Sequence, residues 1–214
     1  RKANPWGSVK PPAGSQLDWG DPINQGLVAC WLFNEGAGGF VYDIASKNNG
    51  TLTNGPVLAP GKFGQAIKFD GTDDYVVANS TTGFPDLSAP LSMSCWINTT
   101  VTSTRLSILA LVKNDTSSAS NSLNMEATAG TGIILVSGWG PVTIVTSGVV
   151  ASGWTHVVYT QNASGVAIYI NGVQKATAAL HAMTGATGVM RVGSFNTAFP
   201  TPYWNGSIDD VRIY

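Results

Sequence analysis

Hydrophobic and polar residues alternate in short runs along this chain, and the last run shows the pattern best. In Asn205-Gly206-Ser207-Ile208-Asp209-Asp210-Val211-Arg212-Ile213-Tyr214, a turn leads into a strand whose alternation puts Val211 and Ile213 on one face. Asp209 falls on that same face. An acid there must be hydrogen-bonded, ion-paired or bound to a metal, because unpaired burial is too costly. Comparable runs predict strands over 27–33, 41–43, 65–69, 75–78, 91–98, 105–113, 122–128, 132–137, 142–146, 154–160, 166–170, 173–176, 190–193 and 208–214. Polar turns separate them at 34–39, 46–50 and 70–74, the last holding three carboxylates. Asn171-Gly172 reads as a type I′ hairpin turn, since both residue types tolerate positive φ. No convincing helix and no internal repeat is found. This spacing predicts an all-β fold of two packed antiparallel sheets, with 27–33 and 208–214 pairing as first and last strands.

Residues 1–25 break the pattern. They hold Pro5, Pro11, Pro12 and Pro22 with few apolar residues, which predicts an extended arm ahead of one domain over 26–214. Such an arm either lies across a partner subunit or packs on its own domain.

Composition agrees with strands and narrows the partners. Charged residues make up 11% of the 214 residues, and Glu occurs only at 35 and 126. That is poor helix-forming material. A net charge of −1 supplies no electrostatic attraction to nucleic acid or anionic membrane. No apolar run approaches the roughly 20 residues of a membrane span. Residue 1 need not be the first residue of the gene, so secretion stays open. Cys30 and Cys95 read as buried thiols, with a disulfide open in an oxidising compartment.

Four segments carry a family resemblance. They are Gly26-Leu27-Val28-Ala29-Cys30-Trp31-Leu32-Phe33-Asn34-Glu35-Gly36, the stretch from Tyr42-Asp43 to Phe69-Asp70-Gly71, Trp154-Thr155-His156-Val157 with Ala167-Ile168-Tyr169-Ile170-Asn171-Gly172, and Ile208-Asp209-Asp210-Val211-Arg212-Ile213-Tyr214. In this order they resemble the laminin-G-like, concanavalin A-like lectin/glucanase jelly rolls. The resemblance implies a two-sheet jelly-roll β-sandwich over 26–214. The opening around 12–28 also resembles phage-encoded members. The family includes adhesion modules, glycan-binding modules and phage particle proteins, so the fold leaves function open.

The chemistry of the side chains narrows it. A retaining glucanase needs two carboxylates about 5–5.5 Å apart. Glu126 has no acidic neighbour in sequence and Glu35 sits in a turn, so no catalytic residue is assigned. His156 and His181 lack a nucleophile motif, and no zinc-type spacing occurs. Six Asn-X-Ser/Thr sequons, at Asn49, Asn79, Asn98, Asn114, Asn162 and Asn205, are expected from the composition. Five acids concentrate in Asp70/Asp73/Asp74 and Asp209/Asp210. The resemblance implies one structural Ca2+ held by Asp43, Asp70 and Asp209 with a carbonyl near Gly71. The competing reading is that these aspartates cap turns. For sugars, Trp139 in a Gly-rich turn, and Tyr203 and Trp204 beside Asn196 and Asn205, offer aromatic platforms with amides. Folding back over the sandwich edge is the alternative for them.

These features give a non-catalytic structural or binding module on an exterior surface. The main expectation is a virion protein for head decoration or tail adhesion, meeting other subunits through its arm, with glycans as further partners and homo-oligomers expected. The alternative is a carbohydrate-binding module of a secreted or cell-surface protein.

Overall fold

The structure is a computed structural model that describes residues 10–78, 80–100, 105–112, 122–128, 133–137, 143–145, 153–179, 187–195 and 203–214. The strands among them are β1 (Ala29–Trp31), β2 (Phe40–Val41), β3 (Gly50–Thr53), β4 (Val57–Pro60), β5 (Gln65–Asp70), β6 (Tyr75–Ala78), β7 (Leu91–Asn98) and β8 (Leu106–Val112). They continue with β9 (Ser122–Thr128), β10 (Ile133–Ser137), β11 (Thr143–Val145), β12 (Thr155–Asn162), β13 (Gly165–Ile170), β14 (Val173–Ala178), β15 (Val189–Val192) and β16 (Asn205–Ile213). The one helical element among the described residues is a 3-10 turn at Pro22–Asn24, capped by the Asp21 side chain.

Two antiparallel sheets form a jelly-roll sandwich. The first runs β14-β13-β12-β7-β16-β5-β4, with β1 pairing on β16, and the second runs β11-β10-β9-β8-β15-β6-β3-β2. The expected pairing of first and last strands is present, with Ala29 opposite Ile213 and Trp31 opposite Val211. Alternation explains which side chains fill the middle. On β7, Leu91, Met93, Cys95 and Ile97 are buried while Ser92, Ser94, Trp96 and Asn98 are half-exposed. β12 repeats this, with Val157 and Tyr159 inward and His156, Val158 and Thr160 outward. The inward residues join Trp31, Phe33, Ile67, Phe69, Ile108 and Val211 in one cluster between the sheets. Each fully buried large apolar side chain contributes about 1.5–3 kcal/mol, and that burial drives the two sheets together.

Strands β3 and β4 are absent from the sequence pattern. Each has four residues, and Gly, Thr and Pro weaken their apolar signal. The Asn171-Gly172 turn is as expected, with φ of 51° and 78°.

The placement of Asp209 differs from simple alternation. Ile208 pairs with Ile97 and Asp209 with Trp96, but Arg212 is next, opposite Ser94, so β16 carries one extra residue. Asp210 takes φ of 48° in this bulge. The bulge returns Val211 and Ile213 to the core and leaves Asp209 on the outer face with Trp96. Asp209 is nonetheless fully buried, because Lys10 and the segment around Phe63 cover it.

The described part of the N-terminal segment is fastened to its own domain. Lys10 Nζ donates to Asp209 and to the Gln65 carbonyl, Asn34 Nδ2 donates to the Pro11 carbonyl, and Leu17 packs on Leu27, Cys30 and Leu32. Residues 1–9 lie outside the described part. Cys30 and Cys95 are free thiols in different clusters, Cys30 under Leu17 and Cys95 between the sheets. Burial pushes the Cys30 thiol up to about 12 and raises Cys95 as well, so both stay protonated.

Candidate functional site

The four residues expected to hold calcium do not meet at one place. Asp43 is buried at the corner after β2, where its carboxylate accepts from the backbone N–H of Cys30 (2.8 Å), Ala45 (2.9 Å), Ser46 (3.2 Å) and Asn48 (3.0 Å). Those bonds use both oxygens and make Asp43 a turn cap. Asp209 accepts from Lys10 Nζ and from Phe63 N, so an ammonium occupies the place expected for the cation. Burial raises the Asp209 carboxyl, and the charge and hydrogen bond of Lys10 oppose that rise. These placements correct the grouping of Asp43 and Asp209 with Asp70.

Asp70 and Gly71 belong to a tighter cluster that includes two acids outside the expected set. Among the described residues, Asp70, Asp73 and Asp74 form the one acidic group with ligand oxygens all within 4.8 Å of one another. They sit in the β5–β6 loop. Thr72 N donates to Asp70 Oδ1 (2.7 Å), Asp70 N to Asp74 Oδ2 (3.0 Å) and Asn205 Nδ2 to the Asp70 carbonyl (2.8 Å). Gly71 has φ of 83°, and a Cβ there would lie 2.5 Å from Asn205 Nδ2, so only glycine lets β16 approach this loop. Asp70 and Asp73 are exposed and Asp74 is buried. Burial raises the Asp74 carboxyl, and the charges of Asp70 and Asp73 add to it against the Asp70 N–H bond. All donors are oxygen, which fits a hard cation such as Ca2+; bound there, it would offset the repulsion that helps to raise the Asp74 carboxyl.

The expected sugar platforms divide differently. Trp204 has no exposed surface, and its ring N–H is buried without a hydrogen-bond partner among the described residues. It packs in the core cluster while its backbone N–H bonds the Gly193 carbonyl (2.8 Å), so it offers no face to a sugar. This corrects the reading of Trp204 as a platform. Asn205 holds the acidic loop as described, and Tyr203 is half-buried. Trp139 and Asn196 lie outside the described residues.

The glutamates are engaged separately. Glu35 accepts from Tyr42 N (2.8 Å). Glu126 accepts from Arg105 and from Asn124, which in turn accepts from Ser107 Oγ (2.8 Å), on the outer face of β8 and β9. Burial raises the Glu126 carboxyl, and Arg105 opposes this. His156 lies against Trp96, ring centroids 4.9 Å apart, and burial lowers its pKa. Lys62 caps the same indole at 4.7 Å.

The outer face of the first sheet carries an open depression, of about 540 Å3, over β12, β13 and β14. Its shape follows from β13, where the outward residues shrink from Tyr169 to Ala167 to Gly165. Ala167 lies opposite Thr160 on one side and Thr177 on the other. Asn162 and Ser164, in the β12–β13 turn, close one end. Charge patterns, glycine turns and exposed aromatics in the sequence give no sign of this place. The small residue between two threonines is visible only once three strands are aligned.

The fold and these geometries define a concanavalin A-like jelly roll. A family model described as the Concanavalin A-like lectin/glucanases superfamily matches residues 70–214, and the chain belongs to that family. No curated protein matches the sequence. Among solved structures, domain 4 of AbnA, a GH43 extracellular arabinanase from Geobacillus stearothermophilus in complex with arabinotriose, is similar at 22% identity and a TM-score of 0.67, over 88% of this chain and 91% of that one. Trypanosoma rangeli sialidase in complex with sialic acid is similar at 14% identity and a TM-score of 0.68, over 89% of this chain and 31% of that one. The binding domain of botulinum neurotoxin DC, solved with rat synaptotagmin II, is similar at 16% identity and a TM-score of 0.66, over 90% of this chain and 48% of that one. The chain thus spans about a third of the sialidase and about half of the toxin chain. No helix among the described residues is long and apolar enough to cross a membrane.

Proposed function

We propose that this chain is a non-catalytic carbohydrate-binding module of an extracellular protein. The observation that carries the reading is the near end-to-end correspondence of this jelly roll with a domain of an arabinanase solved with a trisaccharide. The geometry supports it. Glu35 caps a turn, Glu126 is paired with Arg105, and Asp43 and Asp209 are used in structural bonds. That leaves a recognition surface in place of an acid–base machine. A structural Ca2+ at Asp70, Asp73 and Asp74 belongs to the same reading, as a brace for the β5–β6 loop beside β16.

The virion setting expected from the opening segment has no support among these relatives. The described part of the arm bonds its own domain. The test is a glycan array probed with the intact chain, alongside turnover assays on the glycans bound. Binding without turnover is expected. A blank array overturns the sugar reading, and measurable hydrolysis overturns the non-catalytic one.

A further inference from the structure

Strand β13 places Tyr169, Ala167 and Gly165 on its outward side, so a ring stands next to a gap. The gap is flanked by hydroxyls. Ser92, Thr160, Ala167 and Thr177 lie opposite one another across β7, β12, β13 and β14, so a hydroxyl row crosses the face and breaks only at Ala167. At the turn, Asn162 Oδ1 accepts from Ser164 N (2.8 Å), which fixes the amide and leaves its NH2 as a donor. None of the described residues lining the depression carries a charge.

We propose that this depression is the sugar-binding site, that it takes a neutral glycan, and that Tyr169 is its stacking platform. The proposal rests on the carbohydrate-binding reading above. A pyranose or furanose has an apolar C–H face and a rim of hydroxyls, and it needs one aromatic plane with neutral donors and acceptors beside it. The Tyr169 ring, the Thr160 and Thr177 hydroxyls and the Asn162 amide are that set. The volume falls within the range of small-ligand sites. A sialic or uronic acid needs a guanidinium or ammonium against its carboxylate, since desolvating an anion on a neutral wall leaves it unpaired. The described lining offers none, and that is the ground for assigning a neutral sugar to this site. Ala167 sets the depth, because a larger side chain there fills the gap, while Gly165 is held as glycine by its φ of 135° and by the Ala178 carbonyl 2.5 Å from where a Cβ would stand.

The experiment is a binding titration of the intact chain and two variants, Tyr169→Ala and Ala167→Phe, with the neutral and the sialylated oligosaccharides that the array ranks highest. Thermal melts of the same samples accompany it. Both substitutions are on the outer face, so melting temperatures close to wild type are expected. Each variant weakens the neutral sugar by about tenfold or more, the scale of one lost aromatic contact. Unchanged neutral-sugar affinity in both variants overturns this site while leaving the carbohydrate reading intact. Binding of sialylated sugars alone overturns the neutral-ligand assignment. Binding of neither overturns the underlying reading and this site with it. If one variant fails to fold, the other decides.

Discussion

At the residue scale, Asp43 and Trp204 show how burial fixes the role of a side chain. Asp43 satisfies three backbone N–H groups in the corner between β2 and β3 and that of Cys30 on β1. Asp43→Ala leaves these buried donors without an acceptor and is expected to cost about 3 kcal/mol or more in urea denaturation. An unchanged midpoint would contradict the capping role. Trp204 fills core volume but leaves its ring N–H unpaired. Trp204→Ala should therefore lose about 3–5 kcal/mol, while Trp204→Phe, which removes the orphan donor, loses under about 1.5 kcal/mol. Equal losses in the two variants would mean that the N–H has a partner in solution. The sequence marked both residues and left two readings open for each; the structure takes the cap for Asp43 and the inward-folded ring for Trp204. Asp43 sits in an Asn- and Gly-rich stretch where ligand and cap look alike. Trp204 follows a Pro-containing stretch, and its backbone N–H bonds the Gly193 carbonyl.

At the element scale, the β5–β6 loop and the end of β16 are one unit, joined by Asn205 and made possible by Gly71. Burial raises the Asp74 carboxyl above its ordinary value of 3.8. The stability gained from the protonated form is fully present below that ordinary value and is lost as pH rises through the folded-state value. In metal-free protein, the stability of Asp74→Asn relative to wild type should therefore increase as pH rises above the ordinary carboxylate range, followed by denaturant melts. A gap that does not change with pH would mean that Asp74 titrates normally. Ca2+ works in the opposite direction by favouring the ionised cluster. It should raise the wild-type melting temperature and leave an Asp70→Asn/Asp73→Asn double variant unmoved. Equal melts in Ca2+ and in chelator would assign the cluster to turn capping alone. Alternation located most strands, since β7 and β12 each face water on one side only. It failed for Asp209 because one bulge at Asp210 reverses the face. A period-2 pattern cannot reveal an inserted residue.

At the scale of the whole molecule, the jelly roll was legible because its first and last strands, its Asn171-Gly172 turn and its strand spacing all pointed to one architecture. The proposed binding face was not, because its features arise between strands. Thr160, Ala167 and Thr177 are far apart in sequence character and become neighbours only through register. The fastening of the N-terminal segment was not legible either, because the Lys10–Asp209 pair spans 199 residues. The most direct test of the account is a 1H–15N correlation spectrum of the intact chain titrated with the neutral oligosaccharide that the array ranks highest. The account predicts shifts concentrated at Thr160, Gly165, Ala167, Tyr169 and Thr177. Shifts concentrated away from β12–β14, with these five signals unmoved, would contradict it.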